Sequence, residues 1–337
     1  AAVASAVLPL AALRHHPGQV EGGPAALYWR GPCAAAGDAA AIEAGLLARS
    51  ADLRWRGERL GIACQLSVQV AGWSLSLRGP APLLPTFSAL LLPLLLATLD
   101  EPVEPASQGM LLRALLQRSP QLCEMPKTSR LEGLSVGLGA SEQAQLAELC
   151  VAVEALADLP PMPRIATGID WQQVAQPGTD AALLLFCPLP AGDACTEAAW
   201  RLLGQVLQGR FYQRLRGELQ LGYALFAGFR QVEGCRGLLF ALQSPVCGAA
   251  GIFEHIRAFL DEQRQSLAQL DDETVSRYRD ALLPALSPAK ANLARAEQLW
   301  QLHLAGLPEA HLQRVQLALT ALTKNDLLQA HEQLLSA

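Results

Sequence analysis

The 337-residue chain is 51% hydrophobic and 17% charged, with a formal net charge of −5. Such a chain can bury a sizeable core and is too apolar to stay disordered, and its length suits two ordinary domains or one large one. The acidic balance argues against a nucleic-acid partner, which selects a basic surplus.

Eight cysteines run from Cys33 to Cys247 with no CxxC pair and no short repeating spacing. Zinc knuckles and disulfide frameworks need closely spaced thiols, so these cysteines read as small buried hydrophobes in a reducing compartment. The cytoplasm is the expected location, with the periplasm as the alternative. Ala1–Leu13 is apolar but has no Met and no basic n-region, so it does not read as a signal peptide. The chain is expected to start inside a longer polypeptide, with residues 1–20 as an extension or linker. Leu83–Leu99 is the most apolar run, but Pro85 and Pro93 interrupt it and basic anchors are missing, which favours a buried helix over a membrane span.

In chain order, Ala25–Arg30 reads as a strand, and Asp38 can cap a helix running to about Trp55. Gly61–Val70 and Trp73–Leu77 read as paired strands, with Leu66, Val68 and Val70 alternating against Ser67 and Gln69. Helices are expected at about 83–99, 107–118 and 141–158. Three prolines within Leu159–Pro163 cannot continue a helix and mark a linker. The expected domains are therefore 21–162 and 163–337. In the second, Ala181–Cys187 is a short strand and Asp193 opens a long helix to about Arg216. Strands Tyr223–Val232 and Gly237–Gln243 follow. Helices complete the chain at about 248–269, 272–283, 288–304, 308–321 and 324–335, with Pro308 as a favourable first-turn residue.

Residues 46–78 and 207–243 repeat one plan of Leu-rich helix, Arg-Gly-Glu, Leu-Gly and hairpin. The first copy reads RGERLGIA from Arg56 and the second RGELQLGYA from Arg216. Two such copies at a long offset indicate duplicated domains rather than a solenoid.

A hydrolytic metal site needs clustered His and carboxylate ligands, usually with two His within a helical turn. The six His (His15, His16, His255, His303, His311 and His331) include no HxxEH or HExxH arrangement. His15 and His16 would point about 100° apart on a helix, and His331-Glu332 lacks a second His. No metal is expected on this chain. A serine or cysteine nucleophile in a GxSxG-like setting is also missing, and Gly137-Leu138-Gly139 lacks the third glycine of a phosphate loop.

The informative segment is Gln208–Ser244. Its Phe211-Tyr212, Leu215-Arg216, Gln220-Leu221-Gly222-Tyr223 and Gln243-Ser244 stand in the order seen in the C-terminal half of insulinase- or pitrilysin-type (M16) zinc peptidases, which the chain resembles. Arg216 and Tyr223 are seven positions apart, as in that pattern. Gly217-Glu218-Leu219 replaces the family's frequent Thr-Lys-Glu. FYQRLRGELQLGY and Gly237–Phe240 before Gln243-Ser244-Pro245 are most similar to the branch of proteases that serves pyrroloquinoline quinone (PQQ) biosynthesis.

The resemblance implies an α+β fold of two homologous domains, each an antiparallel sheet with helices mainly on one face, as in LuxS/MPP-like metallohydrolases. They would be the third and fourth domains of a four-domain clamshell. It also implies a partner half carrying Zn2+ on HxxEH, on the same polypeptide or a separate subunit, and a small precursor peptide as substrate. Tyr223 and Arg216 would contact substrate and transition state; Gln243 and Ser244 are weaker substrate-binding candidates. No nucleic acid and no membrane are expected.

Other readings compete with these. A tyrosine at a strand start is commonly half-buried with a satisfied hydroxyl, and an arginine at a helix end commonly complements the helix dipole. In the first copy the residue aligned with Tyr223 is Ile62, and seven before it stands Trp55, so that copy is expected to be a wall. The whole chain could instead be a non-catalytic structural subunit, or a stand-alone hydrolase with an unrecognised site.

Overall fold

The computed structural model describes residues 11–18, 20, 22–32, 39–69, 72–97, 111–119, 123, 130–150, 153–155 and 180–336. In chain order the elements begin with β1 (Ala11–His16), β2 (Ala25–Gly31), α1 (Ala39–Arg49), α2 (Ala51–Arg59), β3 (Ala63–Gln69) and β4 (Gly72–Gly79). Next come α3 (Leu84–Leu96), α4 (Leu111–Arg118), β5 (Leu131–Val136), α5 (Ala140–Glu148) and β6 (Val153–Ala155). The later part holds β7 (Ala181–Pro188), α6 (Ala194–Tyr212), a π-helical turn (Gln213–Glu218), β8 (Ala224–Val232) and β9 (Cys235–Ser244). It closes with α7 (Ala249–Ala268), α8 (Asp272–Leu286), α9 (Asn292–Leu304), α10 (His311–Ala321) and α11 (Lys324–Leu335).

These elements form two compact units that are discontinuous in sequence. The first comprises residues 1–107, 125–161 and 288–306; the second comprises 108–124, 162–287 and 307–337. Thus α4 belongs to the second unit and α9 to the first.

In the first unit the strand order is β3-β4-β2-β5-β1-β6. β2 pairs antiparallel with β4 and β5, whereas β1 pairs parallel with β5 and β6, so one edge of this α+β sheet is mixed. β2 reads AALYWRG without polar alternation because both its faces are covered. Ala25, Leu27 and Trp29 join the core with Phe87, Leu91 and Leu92 of α3, while Ala26 and Tyr28 meet Leu299 and Trp300 of α9. Tyr28 stacks on Trp300 with centroids 5.2 Å apart.

In the second unit, the described strands run β7-β9-β8, all antiparallel. Asp193 caps α6, its carboxylate accepting from the Cys195 and Thr196 backbone N–H groups at 2.9 and 3.1 Å. Trp200, Leu203, Val206, Leu207 and Phe211 then recur at helical spacing and are buried. Phe211 packs against Phe240 and Phe259. Glu197 on α6 is 1% exposed and accepts from Arg201 Nε at 2.8 Å. It also pairs with Arg236 of β9, and with His311 Nε2 of α10 at 2.7 Å. Burial, then the Arg236, Arg314 and Arg201 charges, push His311 down to about 4.

The duplicated plan appears in the topology. In each unit a helix leads into the edge strand of a hairpin (β3-β4 or β8-β9), whose second strand pairs with the strand before the helix (β2 or β7).

Several expectations are corrected. The helix expected to reach Trp55 is two, α1 and α2, parting at Ser50, whose Oγ donates to the Leu46 carbonyl at 2.7 Å. The helix expected over 141–158 ends at Glu148, and Val153–Ala155 pairs with β1. α10 begins at His311 rather than Pro308, whose carbonyl accepts the His311 N–H at 2.9 Å. Ala11–His16, read as an extension, is a sheet strand. The Asp38 cap and the Leu159–Pro163 linker lie outside the described residues. Among the described residues no helix is long and apolar enough to cross a membrane.

Candidate functional site

The site is built where α6 gives way to β8. After Tyr212 the helix widens into the π turn, and the Leu219 N–H reaches the Arg214 carbonyl at 3.0 Å. Widened turns of this kind are rare and cluster at functional sites. Gln220 has a φ of 51°, an uncommon left-handed backbone for a residue with a side chain. Beyond it the Leu221 N–H bonds the Leu215 carbonyl at 2.9 Å, and the Leu221 carbonyl accepts from Ser244 Oγ. The chain thereby reverses and enters β8 at a fixed height.

Gly222 is where β8 meets β9. A Cβ there would lie 2.1 Å from the Gln243 carbonyl oxygen, so only glycine allows this approach. Gly222→Ala is expected to cost about 1–3 kcal/mol through forced separation of the strands. A lowered urea midpoint with an unchanged slope checks this; an unmoved midpoint contradicts it.

Tyr223 and Arg216 both lie on the surface. Tyr223 is 47% exposed, and Arg216 stacks its guanidinium over the Tyr212 ring at 5.1 Å while donating from Nη1 to the Tyr223 carbonyl at 3.4 Å. The Tyr223 hydroxyl donates to Asp180 Oδ2 at 2.6 Å and accepts from Gln243 Nε2. Gln243 Nε2 also donates to Asp180 Oδ2 at 3.0 Å, and its Oε1 accepts the Leu112 backbone N–H at 3.1 Å. Bonds from Tyr223, then Gln243, hold the Asp180 carboxyl below its ordinary range. The bond to Asp180, then burial, raises the Tyr223 phenol, which therefore stays protonated at neutral pH.

Gln243 and Ser244, the weaker substrate-contact candidates, are 4% and 1% exposed, with their polar atoms engaged inside the unit. Ser244 Oγ also accepts from the Val246 and Cys247 N–H groups at 3.2 and 2.9 Å. Asp180 and Leu112 are members of the site that sequence reasoning did not name. For Asp180 the only signal is register, Ala182↔Gln243↔Ala224, which brings the starts of β7 and β8 to one end of the sheet; for Leu112, on α4, register gives none.

The corresponding place in the first unit has different chemistry. Ile62 is 1% exposed and offers no polar atom; Trp55 is 55% exposed with Arg59 over its ring at 5.1 Å. Among the described residues no group of three or more His, Cys, Asp and Glu side chains could hold a metal ion. His15 is bonded to Ser135, His311 to Glu197 and His331 to the Leu260 carbonyl. The zinc, which the resemblance places on a partner half, does not fit these residues.

The fold is that of the M16 peptidases. It superposes on a crystal structure of pitrilysin with a TM-score of 0.65 and 17% identity, covering 95% of this chain and 40% of that one. A peptidase M16 inactive domain from Pseudomonas fluorescens gives a TM-score of 0.54 at 16% identity, over 94% of this chain and 91% of that one. Within that class, residues 202–300 match the family described as PQQ synthase PqqF-like, C-terminal lobe domain 4. The coenzyme PQQ synthesis protein F of Pseudomonas protegens is 41% identical over 214 residues, 62% of this chain and 26% of the relative. The chain thus resembles the C-terminal lobe of PqqF-like M16 peptidases, and it spans about a quarter of the length of the curated relatives it matches.

Proposed function

We propose that this chain is the zinc-free wall of an M16 endopeptidase that trims a small precursor peptide in PQQ biosynthesis. The observation that carries this reading is the pair of exposed groups at the entrance of β8, a neutral phenol on Tyr223 and a guanidinium on Arg216. Peptide hydrolysis builds negative charge on a tetrahedral oxygen, and a preorganised phenol O–H stabilises it as it forms. The Arg216 fork binds peptide carbonyls and orients the strand being cut. Zinc on the partner half would activate water and polarise the scissile carbonyl. The partner is that N-terminal half, on the same polypeptide or a separate subunit, and the compartment is the cytoplasm.

The test is reconstitution. This chain and a zinc-bearing N-terminal half should each fail to cleave a PQQ-precursor peptide, and their mixture should cleave it in a zinc-dependent way. Cleavage by this chain alone, or an inactive mixture that nevertheless forms a complex, overturns the reading. The second outcome would favour the structural-subunit alternative.

A further inference from the structure

The hydrogen bonds around Tyr223 close a ring: Tyr223 Oη to Asp180, Gln243 Nε2 to Asp180, and Gln243 Nε2 to Tyr223 Oη. The amide orientation of Gln243 follows from chemistry, because the Leu112 N–H facing it must meet an acceptor, which makes that atom Oε1. Both amide hydrogens then point at the phenol and the carboxylate. A buried side chain anchored to a backbone N–H is a rigid bracket. Without it, a half-exposed tyrosine would sample several rotamers.

Resting on the function proposed above, we propose that Asp180 and Gln243 are positioning residues for Tyr223: Gln243 fixes the ring, and Asp180 holds the phenol proton until a more basic oxygen arrives. A neutral peptide carbonyl accepts more weakly than a carboxylate, so in the ground state the phenol keeps its proton and directs the hydrogen bond to Asp180. An oxygen gathering full negative charge competes, and the O–H turns to it about the Cζ–Oη bond without moving the ring. The Gln243 amide remains bonded to both Oη and Asp180, so neither is orphaned by the turn. Such a switch confines the donation to the transition state, where it raises kcat rather than ground-state affinity.

The test uses the assembled protein with its zinc-bearing half and the variants Asp180→Asn and Tyr223→Phe. Ultraviolet titration, taken as the difference from Tyr223→Phe, isolates the Tyr223 phenol. In Asp180→Asn this phenol should ionise at lower pH than in the wild type, and kcat should fall about tenfold with KM little changed, as for a misplaced catalytic group. Asp180 lies at the sheet end and the substitution is isosteric; the titration itself reports on the folded site. An unmoved titration overturns the positioning role, as does a moved titration with wild-type kcat. If Tyr223→Phe slows turnover while Asp180→Asn does not, only this inference falls. Wild-type turnover in Tyr223→Phe sinks it together with the function on which it rests.

Discussion

Tyr223→Phe is expected to lower kcat of the assembled peptidase by about a hundredfold, the loss typical of one oxyanion-stabilising donor. KM should move little, because the phenol's proton is committed to Asp180 when no charge has formed. The ring is kept, so its packing at the entrance of β8 survives. The raised phenol also makes a pH prediction: the alkaline limb of the rate profile below the ordinary tyrosine range should not come from Tyr223. Steady-state kinetics on the precursor peptide decide the matter. A variant with raised KM and intact kcat would place Tyr223 in uniform binding instead.

Glu197→Ala should have the largest effect on stability, a loss of about 3–5 kcal/mol, because it removes a buried carboxylate and leaves two partly buried cations without their counter-charge. Desolvation drives the guanidinium of Arg201, whose side chain is 24% exposed, down to about 10, and it also lowers Arg236. Denaturant unfolding of the variant measures the loss. The exposed Asp52–Arg56 pair at 2.8 Å is the contrast, since both of its side chains are more than half solvated and Asp52→Ala should scarcely shift the midpoint. The same network sets an acid dependence. His311 titrates at about 4 in the folded state against 6.5 unfolded, so between those values the unfolded chain binds a proton that the native chain refuses. Stability from this group is complete above about 6.5 and is lost as the pH falls toward about 4. His311→Gln should flatten that slope; an unchanged slope would remove His311 from the account.

Local chemistry made much of this fold legible. The alternation in β3, the apolar spacing of α6, the Asp193 cap and the strands of both hairpins are written in short windows of sequence. The sequence motif also directed attention to Arg216 and Tyr223, both of which reach solvent. What stayed hidden depends on distant partners. β1 and β6 are short strands stabilised by parallel pairing to residues far away, and Val153–Ala155 directly follows a helical pattern. Asp180 reads only as a polar residue before a strand; its bond to Tyr223 spans 43 positions. Leu112 falls inside the helix expected at about 107–118, and its donation to Gln243 spans 131 positions.

The assignment of residues 108–124 to the second unit restricts how this molecule can be cut or recombined. A fragment begun at residue 163 would retain α6, β8 and β9 but lose the amide that clamps Gln243. Its buried carbonyl oxygen would then lack a donor, a defect of about 1–3 kcal/mol. Evolution or engineering that swaps this corner of the second unit between proteins must therefore carry along a strap encoded more than a hundred residues upstream of it.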